Sequence, residues 1–241
     1  MSYYRWIGWL AGLGGIALAL IACGAPDVTP IAAQPTTQAV PTPTAIPPSG
    51  AIAGVYATID NQRGVFKAPA NVSLAGVVGP DYNFDASETD DLNVDTNAGK
   101  SINAIRAFSG KGTLVWGART LAGNDNEWRY VNVRRFFNMV EESVKKSTYW
   151  AVFEANDANT WVKLRGMIEN YLTQKWREGA LAGATTKDAF FVKCGLGTTM
   201  TSQDILEGRL NVEVGMAVVR PAEFIILKFS HLCKLLKLSN R

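Results

Sequence analysis

Residues 101–121, SINAIRAFSGKGTLVWGARTL, constrain this chain more than any other stretch. Two apolar runs, one ending at Phe108 and one holding Leu114, Val115 and Trp116 together, flank Ser109, Gly110, Lys111 and Gly112. Short apolar runs on either side of a glycine-rich link read as two strands and a tight turn, so a β-hairpin is expected here.

The same glycines invite a phosphate-loop reading, which fails on spacing. A Walker loop needs glycine five positions before its Gly-Lys pair and Ser or Thr after it, and those places hold Ile105 and Gly112. A dinucleotide fingerprint would need its third glycine at Val115 and would open a helix, not a second strand. The acidic stretch Asp91, Asn93, Asp95 begins like an EF-hand loop. Its sixth position is Thr96 where glycine belongs and its twelfth is Ile102 where a bidentate Glu belongs, so a solvated loop from 79 to 100 is expected instead.

Counting removes more chemistry. His231 is the one histidine, which rules out Ser-His-Asp, Cys-His and multi-histidine metal sites within one chain. Cys23, Cys194 and Cys233 are too few and too scattered for a disulfide framework or a cysteine zinc site. No catalytic constellation, cofactor or metal is therefore expected. A net charge of +3 without a basic cluster interleaved with aromatics gives no nucleic-acid face.

The N-terminal region does not read as part of a core. Residues 1–23 carry one charge, Arg5, and then a short apolar run ending Leu20, Ile21, Ala22, Cys23. That reads as a secretory signal and resembles a bacterial lipobox, with Cys23 the lipidated residue; the alternative is an uncleaved membrane anchor. Residues 24–48 are dominated by Pro, Thr, Ala and Gln and read as a polyproline-like spacer. With 47% hydrophobic residues in the whole chain, the remainder can bury one core, expected over residues 49–230 and opening on the apolar run at 51–59. A basic tail, 231–241, follows.

Within that domain, Val133, Phe136, Phe137, Val140 and Val144 recur at helical spacing, as do Trp161, Leu164, Ile168, Tyr171 and Leu172 after an Asp157 cap. Residues 72–78 are read as a short helix or strand, and strands are expected at 149–153, 189–194, 210–219 and 223–229, with a short helix from Thr201 to Gly208. The alternation predicts an α/β or α+β domain, a mixed sheet covered by helices.

Several of these motifs occur together in one known family. Arg63 to Asn71 (RGVFKAPAN), Val115 to Leu121 (VWGARTL), Glu127 to Arg135 (EWRYVNVRR) and Pro221 to Phe224 (PAEF) stand in the order found in the C-terminal part of contractile phage tail sheath proteins, which residues 50–230 resemble. The resemblance implies a structural subunit of a phage tail or contractile injection system, polymerising with other sheath subunits as a helical sleeve around an inner tail tube protein. It also implies that terminal arms add strands to neighbouring subunits, for which the candidate is Glu223, Phe224, Ile225, Ile226, Leu227, Lys228 and Phe229. Arg63, Lys67, Trp116 and Arg119 become structural motif residues, with Trp116 expected to face the core. A lipoprotein-like leader stands where the family's N-terminal half would be. If used, it places the domain on the outer face of a bacterial membrane; otherwise a virion tail or a cytoplasmic contractile assembly is expected. The rival readings are a lipid-anchored binding module that reuses the fold and, behind it, an enzyme.

Overall fold

The computed structural model describes residues 44–95 and 97–228. The leader with Cys23, residues 24–43 of the spacer, Phe229 and the 231–241 tail lie outside the described residues. The fold opens with helix α1 (Ser49–Gln62). Val55 and Ile59, four residues apart, bury on one face of it against Val115, which explains why this apolar run is a helix.

Strands β1 (Val72–Ser73), β2 (Ala104–Phe108) and β3 (Gly112–Trp116) form an antiparallel sheet in the order β1-β3-β2. The expected hairpin is present, with Ala104 opposite Trp116 and Phe108 opposite Gly112. Gly110 and Gly112 sit at φ of +73° and +74°, the left-handed turn geometry that a side chain would resist.

Helix α2 (Ala86–Asn93) corrects the expected acidic loop. Asp85 Oδ1 accepts from Glu88 N at 2.8 Å, and Asp85 N donates back to Glu88 Oε2 at 2.9 Å. This reciprocal cap satisfies the first turn's free N–H groups and lets a polar, acidic segment hold a helix.

Helices α3 (Val131–Ser147) and α4 (Ala158–Arg177) carry the main core. Val133, Phe136 and Val140 of α3 meet Leu164, Ile168 and Leu172 of α4, with Leu181, Val192 and Val218 closing the cluster. Asp157 caps α4 by accepting from Thr160 N at 2.9 Å, while Trp161 and Tyr171 of the expected stripe stay half-buried. Arg135 of α3 binds Asp60 of α1 through two nitrogens, one at 2.8 Å, and lies 4.7 Å over the Tyr56 ring, tying α1 to the core.

The strand expected at 149–153 is instead a 3-10 turn, Tyr149–Ala151, followed by a bend. Thr148 Oγ1 closes α3 on Val144 O at 2.9 Å, and Phe153 lies at φ 69° with its side chain fully exposed. A left-handed aromatic residue with nothing to pack on cannot continue a strand.

Helix α5 (Thr186–Ala189), strand β4 (Phe190–Lys193), helix α6 (Ser202–Leu206) and strand β5 (Glu213–Met216) complete the order. β4 and β5 pair antiparallel, Phe190 opposite Met216, so the strand expected at 210–219 narrows to its centre. The α+β class holds, but the strands form two antiparallel sheets and not one mixed sheet. β2 and β3 are joined by a tight turn, which permits antiparallel pairing alone, and the longer links from β1 to β3 and from β4 to β5 also return antiparallel.

Candidate assembly site

Two charged residues stand alone inside apolar motifs, Arg119 in VWGARTL and Glu223 in PAEF, and the fold brings them together across 104 positions of sequence. Arg119 Nε donates to both oxygens of Glu223, at 3.0 and 3.1 Å, and Nη2 donates to Oε2 at 2.5 Å. The Tyr130 hydroxyl donates to the same carboxylate at 3.2 Å. The Arg119 side chain is 4% exposed and that of Glu223 18%. A forked cation matched to a carboxylate out of solvent fixes distance and direction together. Hydrogen bonding to Glu223 holds the Arg119 guanidinium above its ordinary pKa, against the burial that lowers it.

The arginine is itself held from behind. Just past the end of β3, Asn103 brackets its backbone: Arg119 N donates to Asn103 Oδ1 and Asn103 Nδ2 donates to Arg119 O, both at 2.8 Å. A Cβ on Gly117 would come within 2.7 Å of Asn103 Oδ1 and 3.0 Å of its Cα, so the glycine of this motif makes room for the bracket. Arg119 Nη1 donates to the carbonyls of Asn93, at the end of α2, and Gly123, at 3.3 and 3.4 Å.

Beyond Glu223 the chain leaves the surface. Phe224, Ile225, Ile226 and Leu227 are 69–81% exposed, and residues 223–228 have no strand partner among the described residues. Among the described residues, the stretch expected as a strand at 223–229 is in neither of the two sheets. Its first residue is also not an arm residue, because the Glu223 carboxylate faces inward.

The other expected residues are placed as follows. Trp116 does not face the core: it is 40% exposed and rests on the Phe108 ring across the hairpin, centroids 4.7 Å apart, while Leu114 and Val115 take the buried positions. By alternation Trp116 shares its face with the buried Leu114, so its exposure goes with its place as the last residue of β3 and not with the face it takes. Arg63 caps the end of α1 through its N–H on Ile59 O at 2.9 Å with its side chain exposed, and Lys67 Nζ donates to Ala68 O at 3.0 Å. Both bonds are local. Tyr130, Asn103 and Asn132 were not singled out from the sequence. The lone charge in an apolar run was the signal that could have paired Arg119 with Glu223.

A groove lies between α3 and β5, of about 500 Å³, with Phe137, Val140, Val144, Val212, Val214 and Met216 in its wall and Glu141 and Lys145 at its side. Among the described residues neither β4 nor β5 has a second strand neighbour.

Residues 123–230 match the family model described as phage tail sheath C-terminal domain. The tail sheath protein of Vibrio phage KVP40 is 27% identical over 128 residues, 53% of this chain and 19% of that protein. That of Enterobacteria phage T4 is 28% identical over 127 residues, 53% of this chain and again 19% of the relative. Among solved structures, a chain of the anti-feeding prophage baseplate matches with TM-score 0.73 and 46% identity, over 79% of this chain and 52% of that one. A chain of the contracted PVC sheath complex, an extracellular contractile injection system, matches with TM-score 0.73 and 50% identity, over 77% of this chain and 51% of its own length. The chain thus spans about a fifth of the curated relatives and about half of the structural ones. This chain is thus similar in sequence to phage tail sheath proteins and in structure to chains of contractile injection systems, and over residues 123–230 it matches the phage tail sheath C-terminal domain.

Proposed function

We propose that this chain is a structural subunit of a contractile sheath, not an enzyme, and that it assembles with copies of itself by donating residues 224–228 as a strand. The observation that carries the reading is the run of four large apolar side chains, exposed and unpaired, that begins directly after a buried anchor. Backbone groups and apolar side chains left at an open edge associate with another edge, and a strand donated in trans satisfies both. The acceptor is the two-stranded β4–β5 sheet, whose flanking groove offers apolar walls of matching chemistry. A tube protein enclosed by the sleeve is the second partner. The site of action follows that of the relatives, a phage tail or an extracellular contractile sheath. A membrane tether through Cys23 rests on residues 20–24 alone.

The test is electron microscopy and sedimentation of the purified chain with and without Phe224→Ser and Ile226→Ser. Rings or tubes are expected from the unaltered chain, and loss of them, at an unchanged melting temperature, from the doubly substituted one. A chain that stays monomeric up to high concentration, or tubes indifferent to both substitutions, refutes the assembly mechanism.

A further inference from the structure

The last stretch of the domain is fastened at successive points. Ala217 N donates to Ala189 O at 2.8 Å and Ala217 O accepts from Ala182 N at 2.7 Å. Val219 N donates to Ala180 O at 3.1 Å, and Val219 O accepts from Nδ2 of the buried Asn132 at 3.2 Å. The final fastening is the Glu223 carboxylate on Arg119 and Tyr130. One residue later the side chains are in solvent. A buried ion pair is a poor device for raw stability, since apolar residues of the same volume serve as well. What it supplies is registry: one carboxylate fits one guanidinium fork, at one position and in one orientation.

We propose that the Arg119–Glu223 clasp is the root of the assembly arm: it fixes where the chain leaves the domain and keeps a docked arm from peeling residues 217–222 off the core. The inference rests on the arm reading given above and assigns Glu223 a positioning role distinct from docking itself. An arm whose root is held explores a smaller volume, so its tip meets an acceptor at higher effective concentration and less ordering entropy remains to be lost on binding. Because the fastenings lie in series along the chain, tension from a docked arm reaches Glu223 before it reaches Val219 or β5. Arg119 meets that tension bound to three separate segments, through Asn103, Asn93 and Gly123.

Hydrogen exchange read by mass spectrometry on the full chain tests the clasp without requiring assembly, and sedimentation read beside it tests its consequence. In Glu223→Ala, peptides covering 217–223 should exchange at least tenfold faster, with an acceleration at least tenfold greater than any seen in α3 or α4. The concentration at which assembly begins should rise at least tenfold. Glu223→Gln, which keeps the shape and an acceptor for Tyr130, should fall between. Phe224→Ser should weaken assembly and leave exchange at 217–223 unchanged. Wild-type exchange at 217–223 in Glu223→Ala overturns the proposal. So does equal acceleration throughout the domain, which would make the pair a general prop, or an unshifted assembly onset despite faster local exchange. If the unaltered chain does not assemble, the arm reading fails, and the exchange comparison alone upholds or overturns the clasp.

Discussion

Phe136→Ala and Trp116→Ala probe the packing in opposite ways, although both remove a large aromatic side chain. Phe136 is 0% exposed at the centre of the α3–α4 core, surrounded by side chains from both helices and from the segments that close the cluster. Its truncation loses the full transfer term and leaves a cavity that two packed helices cannot close, about 3–5 kcal/mol in all. Trp116 is 40% exposed at the end of β3, against Phe108 of the facing strand. With its lost contacts facing solvent there is no enclosed cavity, and the aromatic pair adds about 1 kcal/mol to a partial transfer term, so the whole cost is about 1–2 kcal/mol. For a domain in the 150–250-residue range each kcal/mol shifts the melting temperature by about 2–4 °C. The Phe136 variant should then melt roughly 6–20 °C lower and the Trp116 variant roughly 2–8 °C lower. Urea denaturation of both variants beside the unaltered chain, with equal slopes, gives the two free energies directly. A Trp116→Ala loss equal to or larger than that of Phe136→Ala would refute the placement of these side chains and restore Trp116 to the core.

Three further outcomes are expected. Arg119→Met alone should cost about 2–3 kcal/mol in urea melts, because it strands a largely buried carboxylate, whereas Arg119→Met with Glu223→Leu should come within about 1 kcal/mol of the unaltered chain; a double variant worse than the single one would show the pair does not act as a unit. Asp204, which caps α6 by accepting from Thr201 and bonds Arg209, has its carboxyl held down to about 2 by those partners, chiefly the Thr201 N–H. A folded value below the unfolded one means that its stabilisation is present above about pH 4 and lost as pH falls toward 2; a carbon-detected NMR titration of this carboxyl with a midpoint at or above 3.9 would contradict the cap. Mass spectrometry of membrane-extracted protein should find a mature chain beginning at an acylated Cys23, and recovery of that chain with Met1 intact would dismiss the lipoprotein reading.

The elements that were legible in the residues are those specified by near neighbours. The β2–β3 hairpin follows from two glycines at a turn between apolar runs, and α3 and α4 follow from apolar spacing and from Asp157, because a turn, a period and a cap each act within a few positions. The same locality makes α2 readable in hindsight: Asp85 and Glu88 have capping-box spacing, but the acidic composition around them argued for a loop. The residues at 149–153 misled because aromatic and β-branched content reads as strand wherever it stands, and only the end of α3 and the left-handed Phe153 show that the chain must bend there. At the candidate site, both Arg119 and Glu223 were noticed, in separate motifs with separate roles. Their union and the division into two sheets depend on segments up to 104 positions apart being packed against one another, and no local periodicity encodes such a distance. The exposure of residues 224–227 is thus decided by tertiary structure: the fold buries the Glu223 carboxylate against Arg119 and, among the described residues, leaves the four apolar side chains beyond it uncovered.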